Sequence, residues 1–195
     1  MQNFMLLAQG IDVTPLNLAI RRRPEIWKED TYLRDYPQGP FKDIESIMLR
    51  FPAKSVFATE AELKKHARSS KYDQHESIDY PPYAILTEAR PIVMAVMTRV
   101  GGERLGRVMV NKICPGGVIF PHVDTKAHTD YYTRFHVVLQ SQPGVVFRAG
   151  DEQVYMANQE LWWFDNSKEH EVINNSADDR IHMIIDVRTS RKGAF

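Results

Sequence analysis

The chain has 195 residues, 43% apolar and 26% charged, so one domain with a substantial core is expected and a disordered chain is not. Lys+Arg and Asp+Glu both number 25, a formal charge of zero, which leaves no global basic field to draw the chain to nucleic acid or anionic lipid. The single cysteine, Cys114, rules out an intrachain disulfide framework, fits a reducing compartment, and reads as a small buried hydrophobe.

The chain begins Met1-Gln2-Asn3-Phe4-Met5-Leu6-Leu7-Ala8, without a positively charged start or a long apolar run. No later segment approaches the length of a membrane span, so a cytoplasmic protein is expected. Thr14-Pro15 puts a cap residue before a proline suited to the first helical position, and Leu16 and Ile20 share a face until Pro24 ends the run. Arg21-Arg22-Arg23, the one tight basic run, reads as the solvated end of that helix. Asp35-Tyr36-Pro37-Gln38-Gly39-Pro40 is a turn, after which Glu45, Ile47, Leu49 and Phe51 fall on one side of an extended segment, predicting an edge strand. Thr59-Glu60-Ala61-Glu62 has capping-box spacing and opens a helix to about Arg68; the polar stretch from Ser69 to Pro82 reads as loop. Pro91 starts a further helix, whose Ile92, Val93, Val96, Met97 and Val100 form an apolar stripe that Gly101-Gly102 stops.

From Arg107 the hydrophobic period changes to two. Short strands are predicted at 107–113, 118–124, 134–140, 144–148, 152–156, 161–164, 170–173 and 180–187. Strands in that number after a helical N-terminal part predict a mainly β protein with a double-stranded β-helix core, a cupin-like jelly roll whose interior can hold a ligand. The expected organisation is a single domain, 1–195: a helical and mixed part at 1–106 packing on the barrel, the jelly-roll core at 107–188, and a tail at 189–195. The helices should cover the outside of one sheet.

Pro115-Gly116-Gly117-Val118-Ile119-Phe120-Pro121-His122-Val123-Asp124, answered downstream by His170, spells H-x-D…H. Residues two apart on a strand leave the same face, and a distant histidine on a returning strand can complete a three-ligand cap. Two imidazoles and one carboxylate on one face of a metal, with the opposite face free, is the geometry of non-haem Fe(II) oxygenases. An isolated H-x-D pair is weak, because such pairs decorate many surfaces. Other residues strengthen it. Arg134 and Arg180 each begin an otherwise apolar strand, and singly each reads as a strand-end charge reaching solvent. Two arginines near a metal cap suggest an anion, and their planar forks suit a dicarboxylate such as 2-oxoglutarate. One end of that molecule and its keto oxygen would chelate iron while the other meets Arg180, ten residues past His170 on the next strand. Strand parity places His136 with Arg134 and Val138, and His182 with Arg180 and Ile184, whereas His128 falls in the polar stretch Thr125 to Thr133 and reads as a loop residue. Trp162, Trp163 and Phe164 read chiefly as core, Asp165-Asn166 as turn chemistry, and Glu169 and Glu171 as solvent-facing.

The segment from Val110 to Val187 resembles the aspartyl/asparaginyl β-hydroxylase family of Fe(II)- and 2-oxoglutarate-dependent dioxygenases. The motifs that carry it are P-G-x-x-x-x-P-H at 115–122, R-x-H at 134–136, W-x-F-D-[ND]-S-x-x-H-E-V at 162–172 and R-x-x-x-x-x-D at 180–186. The resemblance implies a double-stranded β-helix, iron held by His122 and His170, and 2-oxoglutarate contacted by Arg134, His136 and Arg180, with Asn111 beside its distal carboxylate. The animal protein hydroxylase of this family looks to have glycine in place of Asp124; the present chain offers a full triad, as proline hydroxylases do. The stretch from Thr125 to Thr133 is also longer here, and is either a substrate lid or a passive loop.

The expected activity is therefore hydroxylation of a C–H of an amino acid, free or within a peptide or protein. O2 is consumed, and succinate and CO2 are the coproducts. Catalysis and metal binding fall to His122, Asp124 and His170, with no nucleic-acid or membrane partner. Two other readings stand beside it. A cupin-like hydrolase or isomerase could use the same ligands around zinc or manganese, without needing two inward arginines. A non-catalytic barrel could bind a small carboxylate, leaving the ligands accidental.

Overall fold

A computed structural model of the chain describes residues 1–36, 39–53, 73 and 75–190. The helix expected from Thr59 lies outside the described residues, as does much of the loop after Ser69.

Eleven strands are described: β1 (Phe4–Ala8), β2 (Ile44–Phe51), β3 (Ile78–Asp79), β4 (Gly102–Ile113), β5 (Val118–His122), β6 (Thr133–Gln140), β7 (Val145–Ala149), β8 (Glu152–Val154), β9 (Leu161–Phe164), β10 (His170–Asn174) and β11 (Arg180–Thr189). They form a seven-stranded sheet in the order β1-β9-β6-β11-β4-β2-β3 and a four-stranded sheet in the order β5-β10-β7-β8. All eight strands expected after residue 107 are present, and the fold is the double-sheet jelly roll with N-terminal helices. The largest difference in bounds is at β4, which starts at Gly102 because the segment before Arg107 pairs with Val187, Arg188 and Thr189 of β11.

Alternation along the central strands sorts side chains between two cores. Phe135, Val137 and Leu139 of β6, Met183, Ile185 and Val187 of β11, and Val108 and Val110 of β4 pack on helices outside the larger sheet. Those helices are Thr14–Arg21, with Leu16, Ala19 and Ile20 buried, and Ala89–Val100, with Ile92, Val93, Val96 and Val100 buried. The second helix ends at Gly101, whose φ of 63° is the left-handed conformation that glycine adopts without a Cβ penalty. Residues of the opposite parity, Arg134, His136, Arg180, His182 and Asp186, are buried, and His136 and Arg180 among them meet Phe147 of the smaller sheet. The apolar core between the sheets includes Phe147, Trp162, Phe164 and Val172.

Three local expectations are corrected. β2 is not an edge strand: it pairs with β4 and with the two-residue β3, and both its faces are largely buried. β1, in a segment for which no strand was expected, is a strand of the larger sheet, as β2 is. Cys114 is an exposed free cysteine, because it follows the last residue of β4 and enters the Pro115-Gly116 turn. The Arg21–Arg23 run is exposed as expected. Among the described residues no helix is long and apolar enough to cross a membrane.

Phe135, fully buried where β6 meets the helical layer, is a direct test of this packing. Phe135→Ala should lower unfolding free energy by about 3–5 kcal/mol through lost burial plus the cavity left behind. Urea unfolding of the two proteins at equal slope measures it; a change under about 1 kcal/mol would be inconsistent with this core.

Candidate functional site

His122 closes β5 and His170 opens β10, and the antiparallel pairing of these strands sets the two residues directly opposite each other. Their ring centroids are 4.2 Å apart. His122 Nδ1 lies 2.8 Å from the Phe120 carbonyl and His170 Nδ1 lies 2.9 Å from the Lys168 carbonyl. A carbonyl only accepts, so each Nδ1 carries the proton and each Nε2 keeps its lone pair. This is the arrangement in which imidazoles ligate metals, with the distal N–H fixed by a backbone partner.

Asp124 lies just beyond β5 rather than within it, its backbone N–H donating to the Asn166 carbonyl at 3.4 Å. Its Oδ1 is 3.9 Å from His122 Nε2, and one ligand atom from each of His122, Asp124 and His170 falls within 4.8 Å of the others. Burial pulls His170 down to about 4, helped by the neighbouring His122, and burial also lowers His122, so both rings are neutral at pH 7. For Asp124 burial opposes ionisation, but the charge of Arg134 and a hydrogen bond from Asn166 outweigh it and hold the carboxyl below its usual range. Two neutral imidazoles and a carboxylate are the protonation states that a divalent metal requires.

The three residues line a cavity that also exposes Asn111, Arg134, His136 and Arg180. Phe41 and Phe164 stand edge-on to the His122 and His170 rings, at 5.2 and 5.0 Å between centroids. Arg180 is 1% exposed, yet among the described residues Nε and Nη1 of its guanidinium have no hydrogen-bond partner, and Nη2 lies 2.9 Å from His182 Nδ1. Among the described residues no carboxylate forms an ion pair with it, and burial pulls it down to about 9, still protonated at neutral pH. His136 Nδ1 is 3.3 Å from His182 Nδ1, and its Nε2 has no partner. Asn111 is buried and accepts a hydrogen bond from Ser46 Oγ at 2.9 Å.

Residues 84–190, more than half of the chain, match the family model described as aspartyl/asparaginyl beta-hydroxylase. The chain belongs to this family. No curated protein matches it. Among solved structures it is similar to a prolyl-4-hydroxylase from Pseudomonas putida, at 13% identity over 98% of this chain and 95% of that one, with a TM-score of 0.52. An oxidoreductase of the 2OG-Fe(II) oxygenase family from Burkholderia pseudomallei matches at 14% identity over 94% and 95%, with a TM-score of 0.45. The TT1209 protein from Thermus thermophilus matches at 20% identity over 45% and 76%, with a TM-score of 0.36. At these identities the first likeness speaks to fold.

In this β-hydroxylase family member, all seven residues singled out from the sequence line one cavity. Arg134 nevertheless differs from Arg180, because its fork already spans two carboxylates: Nη1 to Asp124 Oδ2 at 2.6 Å, and Nε and Nη2 to the oxygens of Asp186 at 2.8 and 3.0 Å. Sequence reasoning missed that network. Asn166, read as turn chemistry, is buried and donates Nδ2 to Asp124 Oδ2 at 2.8 Å, whereas Asp165 does make the turn through Ser167. His128 is no loop residue but a buried one on the helical turn Lys126–Thr129, 3.0 Å from Asp186. Asp186 had a signal, since strand parity from Arg180 puts it on the interior face. Glu169 and Glu171 face outward, both paired with Arg148.

Proposed function

We propose that this protein is an Fe(II)- and 2-oxoglutarate-dependent dioxygenase that hydroxylates a C–H of an amino acid or amino-acid residue, with succinate and CO2 as coproducts. The observation that carries the reading is Arg180, a buried guanidinium without a carboxylate partner in the cavity that holds the His122, Asp124 and His170 donors. A charge left unpaired in the interior is costly, and an anionic ligand offsets that cost. His122 Nε2, also buried and without a hydrogen-bond partner among the described residues, suits a metal in the same way.

In this proposal His122, Asp124 and His170 would hold Fe(II), a set of two imidazoles and one carboxylate that suits it. Bound iron supplies activation of O2, coupled to oxidative decarboxylation of 2-oxoglutarate. Arg180 would take the distal carboxylate by its fork, and Asn111 and His136 line the same cavity. The aromatic rings of Phe41, Phe147 and Phe164 limit water around the reacting groups. An amino-acid substrate enters through the open mouth. We propose that the chain acts as one domain, supported by β1 and β2 completing the sheet that carries Arg134 and Arg180. A reducing, cytoplasmic setting, proposed from the lone free thiol, suits ferrous iron.

A zinc or manganese hydrolase would use the same three ligands but leaves Arg180 without an anion. Anaerobic addition of Fe(II) and then 2-oxoglutarate separates the two readings. The dioxygenase reading expects a visible charge-transfer band that needs both components, and its absence with stoichiometric iron bound would overturn it. Mass spectrometry of candidate amino acids after aerobic incubation, seeking one added oxygen, then identifies the substrate.

Asp124→Gly should weaken Fe(II) binding by more than the about 10–100-fold that loss of an outer partner costs, while some 2-oxoglutarate turnover survives on the two histidines at high iron. Iron titration of the variant checks it, and unchanged affinity would remove Asp124 from the ligand set.

A further inference from the structure

We infer that Arg134 is a positioning residue: braced by Asp186 and His128, it grips Oδ2 of Asp124 so that Oδ1 is left to face the two histidines. The inference rests on the metal-binding reading above and reassigns an arginine that the resemblance alone gives to the cosubstrate.

The contacts divide cleanly. Asp124 Oδ2 takes two donors, Arg134 Nη1 at 2.6 Å and Asn166 Nδ2 at 2.8 Å. Asp124 Oδ1 takes neither and lies 3.9 Å from His122 Nε2. A carboxylate beyond a strand end is free to rotate about χ2, and can then turn both oxygens to a metal or neither. Two donors on one oxygen fix that rotation and favour a single metal bond from the other.

Arg134 can do this because its own plane is fixed. Arg134 on β6 and Asp186 on β11 are cross-strand partners, and the Nε–Nη2 edge of the guanidinium meets both Asp186 oxygens at 2.8 and 3.0 Å. His128 Nε2 closes the far side, 3.0 Å from Asp186 Oδ2 and 3.2 Å from Arg134 Nη2. With that edge occupied, Nη1 is the end that points to Asp124. Asp186 also solves an electrostatic problem. A guanidinium touching a ligand would repel a bound cation, but Asp124, Arg134 and Asp186 together carry a net negative charge. All members are at most 14% exposed, so solvent screens these terms little.

The test is a double-mutant cycle read as Co(II) affinity, titrated through the metal's visible absorption without cosubstrate or turnover. Arg134→Lys keeps the charge but has no fork to bridge two carboxylates. In the parent protein it should raise the Co(II) dissociation constant by about 10–100-fold. In an Asp124→Gly background it should change that constant by less than about twofold, since the group it positions is gone. Equal losses in both backgrounds would make Arg134 a general structural or electrostatic element and overturn the inference, as would no loss in the parent. Thermal melts of the metal-free variants check folding. If Arg134→Lys does not fold, Asn166→Ala runs the same cycle through the other donor to Oδ2, with a rise of about tenfold expected in the parent alone. A parent protein that bound no Co(II) would instead sink the metal reading itself, an outcome distinct from failure of the cycle.

Discussion

His170→Ala should give a folded protein that binds no Fe(II) at micromolar concentrations, forms no visible band with 2-oxoglutarate, and turns it over at background rate. The expectation follows from where the residue sits. His170 pairs with His122 on one side and with Ala149 on the other, in a strand internal to the smaller sheet. Its backbone contacts are therefore independent of its side chain, and the truncation leaves the ladder intact. The side chain itself is 4% exposed, and burial already holds the imidazole neutral, so its removal unpairs no charge. What disappears is one of three donors, and the two that remain share one end of β5. Loss of a direct ligand exceeds the about 10–100-fold cost of losing an outer partner, so a drop of more than about 100-fold in iron affinity is expected. Metal analysis after gel filtration and the anaerobic titration measure it. A variant that turned over 2-oxoglutarate at the parent rate would show the ligand assignment to be wrong.

Asp124→Gly and His170→Ala thus differ in kind. Asp124 is held by Arg134 and Asn166, and its loss also takes from that guanidinium one of the two carboxylates it spans. Any added destabilisation should appear in the metal-free melting temperature of Asp124→Gly and not in that of His170→Ala.

Much of the site was legible because strands have a period of two. Once β6 and β11 are recognised, the apolar residues Phe135, Val137, Met183 and Ile185 assign one face to the helices, and Arg134, His136, Arg180 and His182 fall on the other. The family motifs added order and spacing. Pairings between strands were not legible. That Asp186 sits beside Arg134, 52 positions earlier, depends on the register of β11 against β6, which neither strand states alone. His128 and Asn166 were misread for the same reason: each lies in a polar, turn-like stretch, and only tertiary packing buries it against a carboxylate. Asp124 was expected inside a strand, but the ladder with β10 stops at His122 and the chain turns toward the Lys126–Thr129 helix. β1 escaped because Phe4–Ala8 has no alternation and its partner β9 lies at the opposite end of the chain.

The same burial that makes Arg180 useful should make it a liability in the empty protein, and the two effects have opposite signs. Arg180→Met keeps the length of the stem and removes the charge. Without its counter-anion the parent holds a buried guanidinium with two of its three nitrogens unpartnered among the described residues, so the metal-free variant should be more stable by about 1–4 kcal/mol. With a dicarboxylate present the order reverses. A buried charge pair broken by truncating one partner costs about 2–5 kcal/mol, which at about 1.4 kcal/mol per tenfold is a loss of roughly 30- to 4,000-fold in 2-oxoglutarate affinity. Iron affinity in the absence of 2-oxoglutarate should stay within about threefold of the parent, since Arg180 is not a metal donor and does not touch Asp124. Chemical unfolding, 2-oxoglutarate titration of the iron-loaded protein and iron titration measure the three quantities separately. The first two should move oppositely because one guanidinium serves an empty cavity badly and a filled one well. A variant that lost 2-oxoglutarate binding together with stability would point to Arg180 as packing rather than as the anion site, and one that kept full affinity would place the distal carboxylate elsewhere.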